Sequence, residues 1–309
     1  MEKDSKIYIA GHNGMVGSAI LRRLTADGYT NAVVRTKAEL DLRRQADVEA
    51  FFEKEKPDYV FLAAARVGGI LANMKDKAYF LQENLQIQNN IIDCAYRTGV
   101  KKLLFLASSC IYPKAAPQPI PESALLTGAL EPTNEGYALA KIAGLKLCEY
   151  YNSEHNANFI SIMPCNLYGP NDNFDLNNSH FLPALIRRFH EAKTNKAPTV
   201  TVWGTGKVYR ELMHVDDLAN ACVFVMNEYS GAEFLNVGYS EDYSIKDYAN
   251  MVKSVTGYEG EIVFDTSKPD GMFRKLMDSS KIRGLGWKPE VELQSGIAQT
   301  YDWYLNSLK

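Results

Sequence analysis

The sequence predicts an α/β fold built on a doubly wound parallel sheet, and three features carry the prediction. Short apolar runs alternate with helix-forming segments through the first half of the chain, as parallel strands joined by crossover helices do. The first apolar run passes directly into a glycine-spaced turn and then a helical pattern. Later strands close on small or polar residues, at the carboxyl ends where open α/β sheets bind ligands. Beyond about residue 170 the alternation gives way to loop-rich sequence, which predicts a smaller carboxy-terminal α/β lobe.

The totals fit a globular protein of one large or two intimate domains: 309 residues, 46% hydrophobic, 23% charged, net charge −3. That balance gives no pull towards nucleic acid or membrane, and no apolar run approaches the ~18 residues of a membrane span. Met1 to Lys6 lacks the apolar core of a signal peptide, so a cytoplasmic location is expected. Cys94, Cys110, Cys148, Cys165 and Cys222 show no zinc or CxxC spacing, as expected of free thiols in a reducing compartment. His12, His155, His190 and His214 form no cluster spacing, so no metal is expected.

Lys6–Ala10 reads as a buried strand, followed by Gly11-x-x-Gly14-x-x-Gly17 and a helical pattern from Ala19. Strand, glycine turn and helix form the context of a nucleotide-binding Rossmann-type unit. The glycines let backbone approach a pyrophosphate, and the helix N-terminus offers it free N–H groups. The second strand, Ala32–Val34, ends in Arg35 where NAD enzymes usually place an acid. An arginine there suits a 2′-phosphate and points to NADP. Asp41 lies in a later turn, towards the adenine side. A helix from about Gln45 to Lys56 leads to the strand Pro57–Ala65, whose small end leaves room for a cofactor.

The strand Lys101–Ala107 ends in Ser108-Ser109-Cys110. In extended chain, Ser108 and Cys110 point to the same side. Lys114 to Asn134 reads as a loop over the site, and Phe159–Met163 as the sixth strand of the sheet, with Pro164–Pro170 its closing turn. Between them, Glu135 to Lys141 opens a helix that sets Tyr137 and Lys141 four residues apart on one face. Such a pair is often surface packing. In this context the cation is expected to lower the phenol's pKa from near ~10, fitting it for proton transfer.

The expected division is a cofactor domain over residues 1–170, with 207–240 packing back onto it, and a substrate lobe from 171–206 and 241–309. Phe181 to Lys193 reads as a helix carrying Arg187 and Arg188, Thr199–Trp203 as a strand, and His214–Leu218 as a helix start. Trp203 suits either a core or a ligand contact.

The chain resembles the extended short-chain dehydrogenase/reductase family. The resemblance rests on the glycine motif, the Pro57–Ala65 strand, Ser108, Tyr137-x-x-x-Lys141 and the Pro164–Pro170 turn. Further matches are Ala64–Ile70, Ser108–Pro113, Leu130–Asn134, Asn178-Ser179-His180, Leu185–Ala192 and Phe264-Asp265 through Lys268–Gly271. They point to members that epimerise and then reduce a GDP-linked 4-keto-6-deoxy sugar. The resemblance implies a reductase triad of Ser108, Tyr137 and Lys141, and an epimerisation pair of Cys110 and His180. It implies NADP contacts at Gly11, His12, Asn13, Gly14, Met15, Val16 and Gly17, and at Arg35, Thr36, Lys37, Ala38, Glu39 and Leu40. Further NADP contacts are implied at Leu106, Ala107, Ser108 and Ser109, at Lys141, at Pro164, Cys165, Asn166 and Leu167, and at His180. Arg188, Trp203, Arg210 and Asp270 are implied for the sugar nucleotide, with Lys275 near its diphosphate. A homodimer is also implied. Asn13 stands where some members carry arginine, which leaves more to Arg35. Met272-Phe273 replaces polar or smaller residues.

Such chemistry needs these side chains. The protons at C3 and C5 of a 4-keto sugar are acidic because the carbonyl stabilises the enolate, and Ser108 and Tyr137 are donors for its oxygen. Each inversion needs a base on one face and an acid on the other. A thiol and an imidazole both exchange protons near neutrality. A dehydratase would instead need carboxylic acids where Ser109-Cys110 stands, and a 4-epimerase would retain NAD, which Arg35 disfavours.

Overall fold

The strands of the central sheet are apolar on both faces because helices cover both. β1 (Ile7–Ala10) leads to α1 (Met15–Ala26), β2 (Ala32–Val33) to α2 (Gln45–Glu55), and β3 (Tyr59–Leu62) to α3 (Ile70–Lys75) and α4 (Lys77–Arg97). β4 (Lys102–Leu106), α5 (Glu135–His155) and β5 (Phe159–Pro164) follow. The chain then leaves the sheet through β6 (Asn166–Tyr168), α6 (Phe181–Thr194), β7 (Thr199–Trp203), β8 (Tyr209–Arg210), β9 (Leu212–His214) and α7 (Val215–Glu228). It returns as β10 (Leu235–Val237) and ends with β11 (Tyr243–Ser244), α8 (Ile245–Thr256), β12 (Glu261–Asp265), α9 (Ser280–Gly284) and α10 (Leu293–Ser307). This computed structural model describes residues 1–176, 179–268 and 270–309; Asn178 and Pro269, which carry part of two motifs above, lie outside them.

The six-stranded sheet runs β10-β5-β4-β3-β1-β2, with every pairing parallel. Phe159–Pro164 is thus the fifth strand of the sheet in chain order. The sixth is β10, whose Leu235 to Val237 pair with Ile162 to Pro164. The sequence reading erred because three residues between polar turns carry too little periodicity to register as a strand.

Two apolar cores form. The larger surrounds the sheet and takes in α7, β10 and also Met277, Ile282 and Trp287. The smaller joins α6, β7, α8 and α10. The segment holding Met277 therefore packs with the sheet rather than with the lobe expected from 241 onward. Met277 bridges to Ile120, and Trp287 Nε1 donates to Asn220 at 3.2 Å.

Lys102 shows how tightly α7 is fastened. Its buried ammonium donates to the carbonyls of Val225 (3.1 Å), Met226 (2.9 Å) and Tyr229, where the helix leaves acceptors free and its dipole favours a cation. Burial lowers its pKa to about 8. Among the described residues no helix is long and apolar enough to cross a membrane. Nor is there a group of three or more His, Cys, Asp or Glu able to hold a metal ion.

Candidate active site

The carboxyl ends of β1, β3, β4 and β5 border a cavity of about 650 Å³, within the ~300–1,000 Å³ of small-molecule sites. All of Gly11 to Gly17 line it. Gly11 has φ 90°, and a Cβ on Gly17 would stand 2.2 Å from the Gly11 carbonyl oxygen. Gly14 is less constrained, its nearest atom being 3.4 Å away. α1 has neither a side-chain N-cap nor an acid in its first turn, so its leading N–H groups face the cavity free to meet an anion.

Arg35, Thr36, Lys37 and Leu40 form the next stretch of wall, while Ala38 and Glu39 do not reach it. Glu39 folds back to accept from Thr36 N (2.7 Å) and Oγ1 (2.8 Å). Arg35 faces the cavity with its guanidinium already engaged, at 2.7 Å from Glu55 Oε1 and 2.8 Å from Val34 O. Asp41 also lines the cavity, but its carboxylate is bonded to Arg43 at 2.6 Å, which holds its pKa near 2.

Tyr137 and Lys141 lie one turn apart on α5, with Lys141 Nζ 5.8 Å from the tyrosine ring centroid. Lys141 is only 3% exposed, and its ammonium donates to Leu106 O at 2.8 Å. The expected lowering of the tyrosine pKa does not occur. Burial pushes the phenol well above its usual range, with Cys110 acting in the same direction. Burial also lowers Lys141 to about 8. Helical spacing predicts neighbours; it does not reveal that Lys141 is buried and Tyr137 half-buried, a loss of water that disfavours either charge.

Ser108 and Cys110 both line the cavity, though not through extended chain. Ser109–Ile111 is a turn of 3₁₀ helix, capped by Ser108, whose Oγ accepts from Cys110 N at 3.4 Å. Ser109 is turned instead into an adjoining cavity of about 50 Å³. Burial raises the Cys110 pKa, against the pull of Lys275, Ser108 and Lys141. His180, the N-cap of α6, reaches the same cavity; the residue as a whole is exposed, but partial desolvation of its ring and the Lys275 charge both lower its pKa. Lys275 thus favours thiolate on one side and neutral imidazole on the other. Sequence reading had assigned it only to the diphosphate.

Leu106, Ala107, Pro164, Cys165, Asn166 and Leu167 complete the inner wall. Sequence reading missed Arg66, Asn134 and Leu218. Asn134 closes the Leu130–Asn134 motif, and its buried Oδ1 has no hydrogen-bond partner among the described residues. Arg188, Trp203, Arg210 and Asp270 are not on the cavity wall. Trp203 is 56% exposed, so it is no core residue, and Arg188 Cζ (5.4 Å) and Lys268 Nζ (5.6 Å) lie over its ring. Asp270 accepts from Thr205 N (2.7 Å) and Oγ1 (2.8 Å), with Arg210 close enough to help hold its pKa down.

A family model described as "NAD dependent epimerase/dehydratase family" matches residues 7–238. The chain belongs to this family. It is 62% identical to GDP-L-fucose synthase 1 of Arabidopsis thaliana, over 99% of this chain and 95% of that protein. It is 51% identical to the GDP-L-fucose synthase of Escherichia coli (strain K12), over 98% and 97%. Among solved structures, a GDP-L-fucose synthetase from Naegleria fowleri bound to NADP superposes with TM-score 0.92 at 30% identity, covering 100% of this chain and 96% of that one. A GDP-6-OMe-4-keto-L-xylo-heptose reductase from C. jejuni superposes with TM-score 0.93 at 41% identity, over 99% of both chains. As a member of this family the chain has the Rossmann-type sheet of an extended short-chain dehydrogenase/reductase.

Proposed function

We propose that this protein converts GDP-4-keto-6-deoxy-D-mannose to GDP-L-fucose, inverting C3 and C5 and then reducing the C4 ketone with NADPH. The observation that carries the reading is the meeting of Ser108, Cys110, Tyr137, Lys141 and His180 in one cavity with the Gly11–Gly17 turn. Full-length identity to GDP-L-fucose synthases supports it.

The glycine turn fits a dinucleotide: it is so tightly folded that a Cβ on Gly17 would collide with the backbone of Gly11, and all of Gly11 to Gly17 face the cavity. Gly11 to Gly17 and the α1 N-terminus would hold the pyrophosphate, Arg35 and Lys37 the 2′-phosphate side, and Lys141 with Pro164–Leu167 the nicotinamide side. NADPH bound there supplies the hydride. Ser108 Oγ–H and Tyr137 O–H donate to the C4 oxygen while a C3 or C5 proton is away, stabilising the enolate. In each inversion one member of the Cys110–His180 pair accepts a proton and the other returns one on the opposite face. In the reduction Tyr137 gives its proton to the same oxygen. Lys141, held by Leu106 O, supplies the charge that makes the phenol's proton loss tolerable.

Arg188, Trp203 and Arg210, with Asp270 and Lys275, would bind the GDP part, on a lobe formed mainly by 171–206 and 241–309. A homodimer in the cytoplasm is the setting we infer from the family resemblance. Purified protein given NADPH and the GDP-keto sugar should oxidise NADPH and yield GDP-L-fucose by NMR; no oxidation would overturn the reading. Cys110→Ser should slow solvent deuterium entry at C3 and C5 by about 10²-fold or more while NADPH binding holds. Equal losses in both would make Cys110 structural.

A further inference from the structure

Glu211 is absent from the cavity wall and has no part in the chemistry above, yet it is the carboxylate around which the sugar end is assembled. It is 1% exposed, in the single-residue gap between β8 and β9. Its Oε1 accepts from Ser240 N at 2.7 Å and its Oε2 from Met277 N at 3.0 Å. The approach is close enough that a Cβ on Gly238 would fall 2.3 Å from Oε1. One side chain therefore ties three separate segments: the β8–β9 junction, the 238–240 turn and the stretch that ends at Met277.

A carboxylate buried without an ion pair is costly, and an apolar side chain would fill such a space with less penalty. Among the described residues Glu211 has no salt-bridge partner; backbone N–H groups hydrogen-bond its carboxylate, and the Lys275 ammonium is near enough to be drawn by its charge. Burial lifts its pKa to about 7. What the arrangement secures is visible in the neighbours of its anchor points. Arg210 is adjacent in sequence and belongs to β8, its carbonyl accepting from Tyr248 Oη at 2.9 Å. Lys275 stands two residues before Met277 and lines the cavity beside Cys110. The ammonium of Lys275 has no hydrogen bond or ion pair of its own among the described residues, so its place depends on the backbone that carries it together with the attraction of charges nearby, Glu211 among them.

We propose that Glu211 is a positioning residue for the sugar-nucleotide site: next to Arg210 in the chain and bonded to the backbone at Ser240 and Met277, it sets Arg210 and Lys275 at a fixed separation. The claim rests on the reading of those two cations as GDP-sugar contacts, and its test is chosen to fail separately. GDP itself is the probe, so the binding arm needs no turnover. Glu211→Gln keeps the volume but turns an N–H donor towards one of the two backbone N–H groups. It should weaken GDP binding and raise KM for the GDP-keto sugar by about tenfold, roughly the loss of one charged hydrogen bond. The NADPH Kd should stay within about twofold, because the glycine turn lies at the other end of the cavity. Glu211→Asp keeps the charge and can reach only one of the two N–H groups, so it should fall between wild type and Glu211→Gln. A merely structural role would weaken NADPH and GDP alike, or neither, and either result overturns the proposal. The unmodified protein provides a check free of folding defects. GDP should slow hydrogen exchange at the Ser240 and Met277 amides by about tenfold or more. Unchanged exchange at both would also overturn it. If wild type binds GDP and yet fails to turn over the keto sugar, the functional reading fails while the positioning role stands.

Discussion

The glycine-turn end of the cavity and the surface beyond its wall that we propose for the sugar nucleotide are built by different means. At the first, backbone forms the surface: Gly11 and Gly17 approach each other so closely that no Cβ fits on Gly17, and the leading N–H groups of α1 have no side-chain cap. At the second, charged side chains stand on separate elements outside the sheet, with Arg188 of α6 over an exposed Trp203 and Arg210 of β8 beside Asp270. Backbone recognition is rigid and general, because every dinucleotide offers the same pyrophosphate. Side chains on short elements can change without disturbing the sheet, and on such a scaffold substrate choice is free to vary. The groups we propose to react sit where the two regimes meet, on α5, just after β4 and at the start of α6.

Substitutions should separate the two ends. The largest effect is expected at their junction: Tyr137→Phe should cut keto reduction by about 10²–10⁴-fold, measured as single-turnover NADPH oxidation, with NADPH affinity retained. A parallel loss of affinity would show that the phenol positions the cofactor instead. Gly17→Ala comes next. Its methyl would press on Gly11 O, and overpacking of about 1–3 kcal/mol should weaken NADPH by about 5- to 150-fold while GDP still binds. Arg188→Ala should do the reverse, costing about tenfold in GDP affinity and leaving NADPH unchanged; a loss confined to NADPH would break the division proposed here.

A further effect is on stability. Lys141 falls from its ordinary 10.5 to about 8 on folding. Between those values the unfolded chain holds the extra proton, so stability rises with pH across the window. Lys102 shifts the same way, so the comparison must be with Lys141→Met. From pH 7.5 to 10 the urea midpoint of wild type should rise relative to that variant; a constant difference would mean that Lys141 keeps its proton.

Much of the dinucleotide end was legible in the sequence because it depends on residue type at fixed spacing. Gly11-x-x-Gly14-x-x-Gly17 after an apolar run has few other uses, and the Tyr137/Lys141 spacing places both side chains on one helix face. Less was legible where burial or distant segments decide. Nothing in the sequence shows that Lys141 is buried and Tyr137 half-buried. Nor does it show that Glu55, on α2, engages Arg35 at 2.7 Å. Ser108 and Cys110 were paired correctly for the wrong reason, since a 3₁₀ turn and not extended chain presents them. Glu211 gave no signal because its partners are backbone N–H groups of residues 240 and 277, which carry no side-chain signature.

The late arrival of β10 bears on how the molecule is made. β5 pairs on one side with β4 and on the other with Leu235–Val237, and α6 through α7 must be synthesised in between. Until then the nascent chain presents an open, apolar strand edge of the kind that invites pairing with other chains. The cofactor half is therefore not a self-sufficient amino-terminal module. A fragment ending near residue 170 should aggregate during synthesis, and adding residues through 238 should be the shortest extension that closes the edge.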